Sequence, residues 1–196
     1  MIFGNTAAQM FGAVTFVVLA RLYSPSEFGV FAAILAIAWV VGGVAPMRYD
    51  LSVLMAHTFS GARFAAAIAL AVSIATIVIV VIFASILSLI GFYDIWHVID
   101  LFLMASGISV INVSKYTQSR SRRFRRQALV ELARPVGLLG FGVLFHWVPV
   151  SENGLISASS ISLFLIGLFL IVIEYRQYPW RIFLRKHRSL RLWMLR

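Results

Sequence analysis

Asp94, His97 and Asp100 bring two carboxylates within three residues of an imidazole, a grouping whose residue types could move a proton. Trp96 sits among them, and the same residues equally form an interfacial belt at the end of an apolar run, which is the reading adopted. The other histidines, His57, His146 and His187, fall at separate connections or run ends. None has H-E-x-x-H spacing or a second carboxylate at helical spacing, so no metal site is expected. Neither a phosphate-cradling Walker loop nor a G-x-S-x-G elbow occurs, and the absence of cysteine removes thiolate ligands and thiol nucleophiles. An enzyme and a cofactor are therefore not expected. The remaining chemistry is recognition of charge by cations held near or inside apolar segments, where an uncompensated ion costs several kcal/mol.

Those segments dominate the chain. Of 196 residues 61% are hydrophobic and 12% charged, with a mean hydropathy of +0.94, whereas soluble domains are about 45–50% apolar and about 25% charged. Six runs, 2–20, 28–46, 64–90, 95–113, 128–150 and 154–173, are long enough to cross hydrocarbon, which takes about 17–25 residues. They are continuous blocks without strand-like alternation, so an all-α, polytopic membrane bundle of about six helices is expected. The third run exceeds the usual length and should tilt or start in the interface. The first lacks a basic leader and is followed by further spans, so it reads as a retained helix. A transmembrane lobe of 1–174 and a tail of 175–196 make up the expected domain plan.

Charge then orients the bundle. The formal charge is +10, from 17 basic and 7 acidic residues. Arg48 and Arg63 follow the second run, Lys115, Arg120, Arg122, Arg123, Arg125 and Arg126 follow the fourth, and seven basic residues from Arg176 onward follow the sixth. The alternate connections carry Arg21 with Glu27, then Asp94, then Glu152. By the positive-inside rule both termini are expected to be cytoplasmic. The "SRSRRFRRQ" stretch, 119–127, is then a topogenic loop whose Arg122, Arg123, Arg125 and Arg126 contact anionic lipid. One short loop with a single aromatic offers no stacking platform, and nucleic acid is not an expected partner. The tail interleaves Trp180, Phe183, Leu184 and Trp193 with arginines after Pro179, which suits a basic amphipathic element on the membrane surface or a disordered cytoplasmic linker.

Within the spans, Asn5, Thr6 and Gln9 are polar where lipid exposure is unfavourable, so they should face protein or a cavity. Arg48, just past Pro46 and two residues before Asp50, is the leading candidate for an anion-binding cation and is expected to face the interior. Arg21 is a second candidate, with an ion pair to Glu27 across the turn as the simpler reading. Gly4, Ala8 and Gly12, and again Ala65, Ala69 and Ser73, repeat every four residues, a spacing that lets helices approach closely.

The stretch "ARLYSPSEFGVFA", 20–32, fixes one helix start: Ser24 as cap, Pro25 in the first turn, Glu27 closing a capping box, Tyr23 and Phe28 placed for a staple. In Ala20, Arg21, Ser24, Pro25, Glu27, Phe28 and Gly29 it resembles the first hairpin of the polysaccharide-biosynthesis transporters, the oligosaccharide flippases of the multidrug and lipid-exporter superfamily, with Tyr23 a mild departure. "RYDLSVLMA", 48–56, and "RSRRFRRQALVELAR", 120–134, resemble that family's later segments in the same order. The resemblance implies the N-terminal lobe of a two-lobe flippase of about twelve to fourteen spans, in the bacterial inner membrane. It implies transbilayer movement of a polyprenyl-pyrophosphate-linked oligosaccharide for polysaccharide or lipopolysaccharide (O-antigen) synthesis. Substrate would be held near Arg48, Asp50, Asn5, Gln9 and Arg21, and the lobe would act with a second copy or a separate C-terminal half, as a half-size or truncated protein. A membrane-embedded transferase of envelope glycan synthesis and a non-transporting structural subunit are the alternatives.

Overall fold

The computed structural model describes residues 2–91, 95–148 and 154–177, apart from the side chains at 2–5, 59, 60 and 174–177. Asp94, Glu152 and the tail from 178 lie outside the described residues, as does the side chain of Asn5. Seven helices follow one another among the described residues: α1 (Ile2–Leu22), α2 (Pro25–Val44), α3 (Tyr49–Met55), α4 (Phe59–Leu89), α5 (Ile95–Arg120), α6 (Phe124–Trp147) and α7 (Gly154–Gln177). Five stretches, Pro25–Val44, Gly61–Leu89, Ile95–Arg120, Phe124–Trp147 and Gly154–Ile173, are long and apolar enough to cross a membrane, and α1 adds the shorter Thr6–Leu22. The chain is an all-helical bundle of the polytopic membrane kind.

Local chemistry explains the helix ends. The Ser24 hydroxyl accepts from the Glu27 N–H at 3.4 Å, and the Glu27 carboxylate accepts from the Ser24 N–H at 2.7 Å, so the capping box forms and α2 starts at Pro25. Tyr23, 8% exposed, does not stay within this turn. Its hydroxyl donates to the Gly142 carbonyl at 2.7 Å and its ring meets His146 edge-on at 5.5 Å, which ties the α1–α2 turn to the far end of α6. Burial first, and then the Glu27 charge, push the Tyr23 phenol above its ordinary pKa, so it remains a donor. After α2 the chain turns through Ala45 and Pro46, with Met47 and Arg48 both at positive φ (46° and 64°), and α3 fills what the sequence reading left as a connection. At 31 residues α4 is longer than one crossing needs, as its apolar run suggests.

The arginine-rich stretch differs more from expectation. It is not an extended loop: α5 continues to Arg120, α6 begins at Phe124, and three residues turn between them with Arg122 at φ 54°. Arginine and glutamine are good helix formers, so polarity here did not imply irregular structure. Arg120 accordingly turns inward. Its guanidinium donates to the carbonyls of Val53 (3.1 Å), Leu54 (2.9 Å) and Thr58 (3.4 Å), which capture the C-terminal end of α3 and the link to α4. Replacing Arg120 with Ala is expected to cost about 2 kcal/mol, since charged hydrogen bonds to the Val53 and Leu54 carbonyls at the end of α3 are lost. Thermal unfolding in detergent measures this, and an unchanged melt would make the clamp incidental.

In the packing, α5 lies against α2, α4 and α7, while α6 lies against α1 and α7. The closest crossing is α5 on α7, where Gly107 faces the backbone of Leu163 and Phe164, and a Cβ on Gly167 would lie 3.2 Å from the Gly107 Cα. Around it Leu19, Phe31, Met104, Ile108, Ile111, Leu155, Ile156 and Leu163 form the main core. The small-residue spacing on α4 behaves as expected, with Ala69 and Ser73 buried, but that on α1 does not: Gly12 has no neighbour within 4 Å of where a Cβ would stand. The α1 face bearing Gly12 borders a cavity, because α1 and α2 part after their tight turn and, among the described residues, barely approach one another.

Candidate functional site: a cationic cavity inside the bundle

That gap opens into a cavity of about 430 Å³ bounded by α1, α2, α5, α6 and α7. Three charges sit on its wall. Lys115 of α5 and Arg134 of α6 flank Glu131 of α6, one on each carboxylate oxygen: Lys115 Nζ lies 2.5 Å from Oε1 and Arg134 Nη1 lies 3.2 Å from Oε2. Two cations against one anion leave a net positive site. The Arg134 guanidinium also lies over the Trp39 ring of α2, 5.2 Å from its centroid, an arrangement that fixes the plane of the fork.

The local sequence of α6 produces this arrangement. Glu131 and Arg134 stand three residues apart and share a helix face. Pro135 follows directly; lacking an N–H, it releases the Glu131 carbonyl from its helical hydrogen bond. Thr15 of α1, 1% exposed, donates its hydroxyl to the Pro135 carbonyl at 3.3 Å, so α1 is pinned to α6 at this level. Arg134 lies about 15 Å along α6 from its start at a rise of about 1.5 Å per residue, within a helix long and apolar enough to cross a membrane.

The cluster is incompletely satisfied. Arg134 uses Nη1 on Glu131, while its Nε and Nη2 are buried without a hydrogen-bond partner, and so is the Ser162 hydroxyl of α7 on the same cavity wall. Nε and Nη2 form one edge of the guanidinium fork, with two parallel donors at the spacing that accepts two oxygens of a phosphate or carboxylate. Buried donors in folded proteins normally have partners, and unpaired ones on residues that line a cavity are where a ligand would complete them. The arrangement can desolvate and hold an anion.

Of the nominated residues whose side chains are described, Gln9 lines this cavity and Arg48, Asp50 and Arg21 do not. Arg48 is exposed at the start of α3 rather than turned into the bundle: the positive-φ turn after Pro46 carries it outward. Asp50 is the buried member of that pair, and it accepts from the Leu51 N–H at 3.0 Å. Arg21 is exposed at the end of α1, and the expected ion pair with Glu27 is replaced by the capping box. Asp100 turns to α7, where it accepts from Ser157 (3.2 Å) and Ser160 (2.5 Å), a polar tie between two helices. Arg122, Arg123, Arg125 and Arg126 are all exposed. Lys115, Glu131 and Arg134 do not emerge from the sequence as a unit, because Lys115 counts there as a connection cation while Glu131 and Arg134 fall inside the 128–150 run and in a stretch that carries the family resemblance. The signal was present: a Glu-x-x-Arg-Pro sequence inside an apolar run is costly unless it serves a site.

Compared with known proteins, the chain matches no family model, no curated protein and no solved structure.

Proposed function

We propose that the chain moves an anionic, lipid-linked oligosaccharide across the cytoplasmic membrane, with the pyrophosphate of a polyprenyl carrier passing through the cavity at Arg134. The observation that carries this reading is the pair of buried, unpartnered Arg134 donors on a residue that lines a net-positive cavity. A pyrophosphate brings at least two negative charges into a region where an uncompensated charge costs several kcal/mol, and a prepaired cation lowers that barrier. Glu131 keeps the empty site from carrying two bare cations, and an arriving phosphate competes with it for Arg134. The gap between α1 and α2 gives the sugar-bearing head a way in while the polyprenyl chain stays in lipid. The likeness of the 20–32, 48–56 and 120–134 segments to oligosaccharide flippases supports the same reading. Alternating access would come from rocking this lobe against a second copy or a second lobe, with both termini on the cytoplasmic side.

Liposomes containing the purified chain and a fluorescent polyprenyl-pyrophosphate oligosaccharide test this. Bleaching by an impermeant reductant is expected to extend from the outer-leaflet share to nearly all of the label, and inorganic pyrophosphate should slow it. Bleaching that stops at the outer-leaflet share with a folded, correctly inserted chain would overturn the proposal.

A further inference from the structure

A second concavity, of about 580 Å³, lies at the end of the bundle where α5 stops and α6 begins. Its walls are apolar, with Leu129 from α6 and Ile166 and Phe169 from α7, and one end is polar, with Ser121, Arg123 and Arg126. Leu129 and Phe169 are each 64% exposed on helices apolar enough to span a membrane, so the groove faces outward toward lipid rather than inward to the cationic cavity. We propose that it binds one anionic phospholipid, an acyl chain lying along Leu129, Ile166 and Phe169 and the phosphate meeting Arg123 and Arg126.

The charge sits at one end only, and it matches an amphiphile with an anionic head. Arg126 is in the first turn of α6, a turn with no acidic residue, and the cap position at Arg123 makes no side-chain capping bond. A phosphate there meets two guanidinium groups and the positive end of the helix together. A free phosphate would leave the apolar walls uncovered, and the chain's own tail after Arg176, which is rich in arginine, would add like charge rather than neutralise it. Arg122 and Arg125, next in sequence, do not line the groove. The site therefore distinguishes two arginines of the stretch from their neighbours, which general attraction to an acidic surface does not.

The full chain in detergent, titrated with phosphatidylglycerol or phosphatidylcholine and read by native mass spectrometry, provides the test. Arg123→Gln with Arg126→Gln is expected to lose the preference for phosphatidylglycerol by ~25-fold, about fivefold for each cation at an anionic surface. Arg122→Gln with Arg125→Gln removes the same charge and should leave the preference within about twofold of wild type. Leu129→Trp keeps every arginine but fills the groove and should weaken binding, and a photoreactive acyl chain should label Leu129 or Phe169. Equal losses in the two double variants, no preference for phosphatidylglycerol in the wild type, or labelling away from these helices would each overturn the proposal.

Discussion

Arg134→Met is expected to abolish transport of the lipid-linked oligosaccharide while leaving the bundle folded. Methionine keeps most of the apolar stem that packs in the cavity wall, so the change is mainly electrostatic. Glu131 retains its contact with Lys115 at 2.5 Å, and the cavity passes from net positive to neutral. The incoming phosphate loses two charge-assisted hydrogen bonds of about 1.5–3 kcal/mol each, enough to lower its occupancy at least ~100-fold. Arg134→Lys should keep a minor fraction, because an ammonium restores the charge without the two-donor edge. Glu131→Gln shifts the balance the other way. With its competitor neutralised, the anion should bind more tightly and leave more slowly, so pyrophosphate inhibition sharpens while turnover falls. Arg48→Ala provides the comparison: Arg48 is exposed and away from the cavity, so its replacement should change the rate by no more than severalfold. All are read in the liposome bleaching assay at matched protein content, with melting curves to confirm folding. Wild-type transport by Arg134→Met would remove the cavity from the pathway.

The contrast between Arg48 and Arg134 shows what the sequence could and could not convey. The six long helices, the capped start of α2 and the length of α4 were legible because each depends on local composition: apolar run length, a Ser-x-x-Glu spacing, an uninterrupted hydrophobic block. The short helix α3 was not, because seven residues between a proline turn and a Thr58 cap are too short a run to register beside spans of about 17–25 residues. Arg48 drew attention by its place after Pro46, yet side-chain direction there depends on positive φ at two successive residues, which no one-dimensional pattern records. Arg134 and Glu131 were hidden for the opposite reason. They follow a dense run of exposed arginines whose charge accounts for topology, and within the 128–150 run they are two charges among many apolar residues. Arg120 gives the same lesson on a smaller scale, since a charge counted toward topology turns out to hold backbone carbonyls. Lys115 joins the site only through the packing of α5 and α6 around the cavity, a tertiary fact.

Gly107→Val is expected to have the largest effect on stability of any single apolar substitution in the bundle. At Gly107 the atoms facing a new side chain are backbone: the carbonyl of Leu163 and the N–H nitrogen of Phe164, the latter 2.9 Å from where a Cβ would stand. A side chain can turn aside, but a helix backbone moves only if the whole helix moves. Gly167 offers no relief, because it stands against the Gly107 Cα from the same helix as Leu163, one turn further along. Valine gains helix propensity over glycine, a term of well under 1 kcal/mol, whereas overpacking a close crossing costs about 1–3 kcal/mol or more. The steric term wins. Its consequences reach beyond the crossing: pushing α7 off α5 separates Ser157 and Ser160 from Asp100, which stays behind with its carboxylate unsatisfied, and displaces Ser162 from the cavity. Gly12→Ala is the matched test on α1, where nothing lies within 4 Å of the added methyl, and it should be neutral or stabilising by up to about 1 kcal/mol. Melting temperature and monodispersity in detergent report both variants. A Gly107→Val protein that melts with the wild type would mean that α5 and α7 stand further apart than their glycines imply, and the cavity they help to wall would then need a different floor.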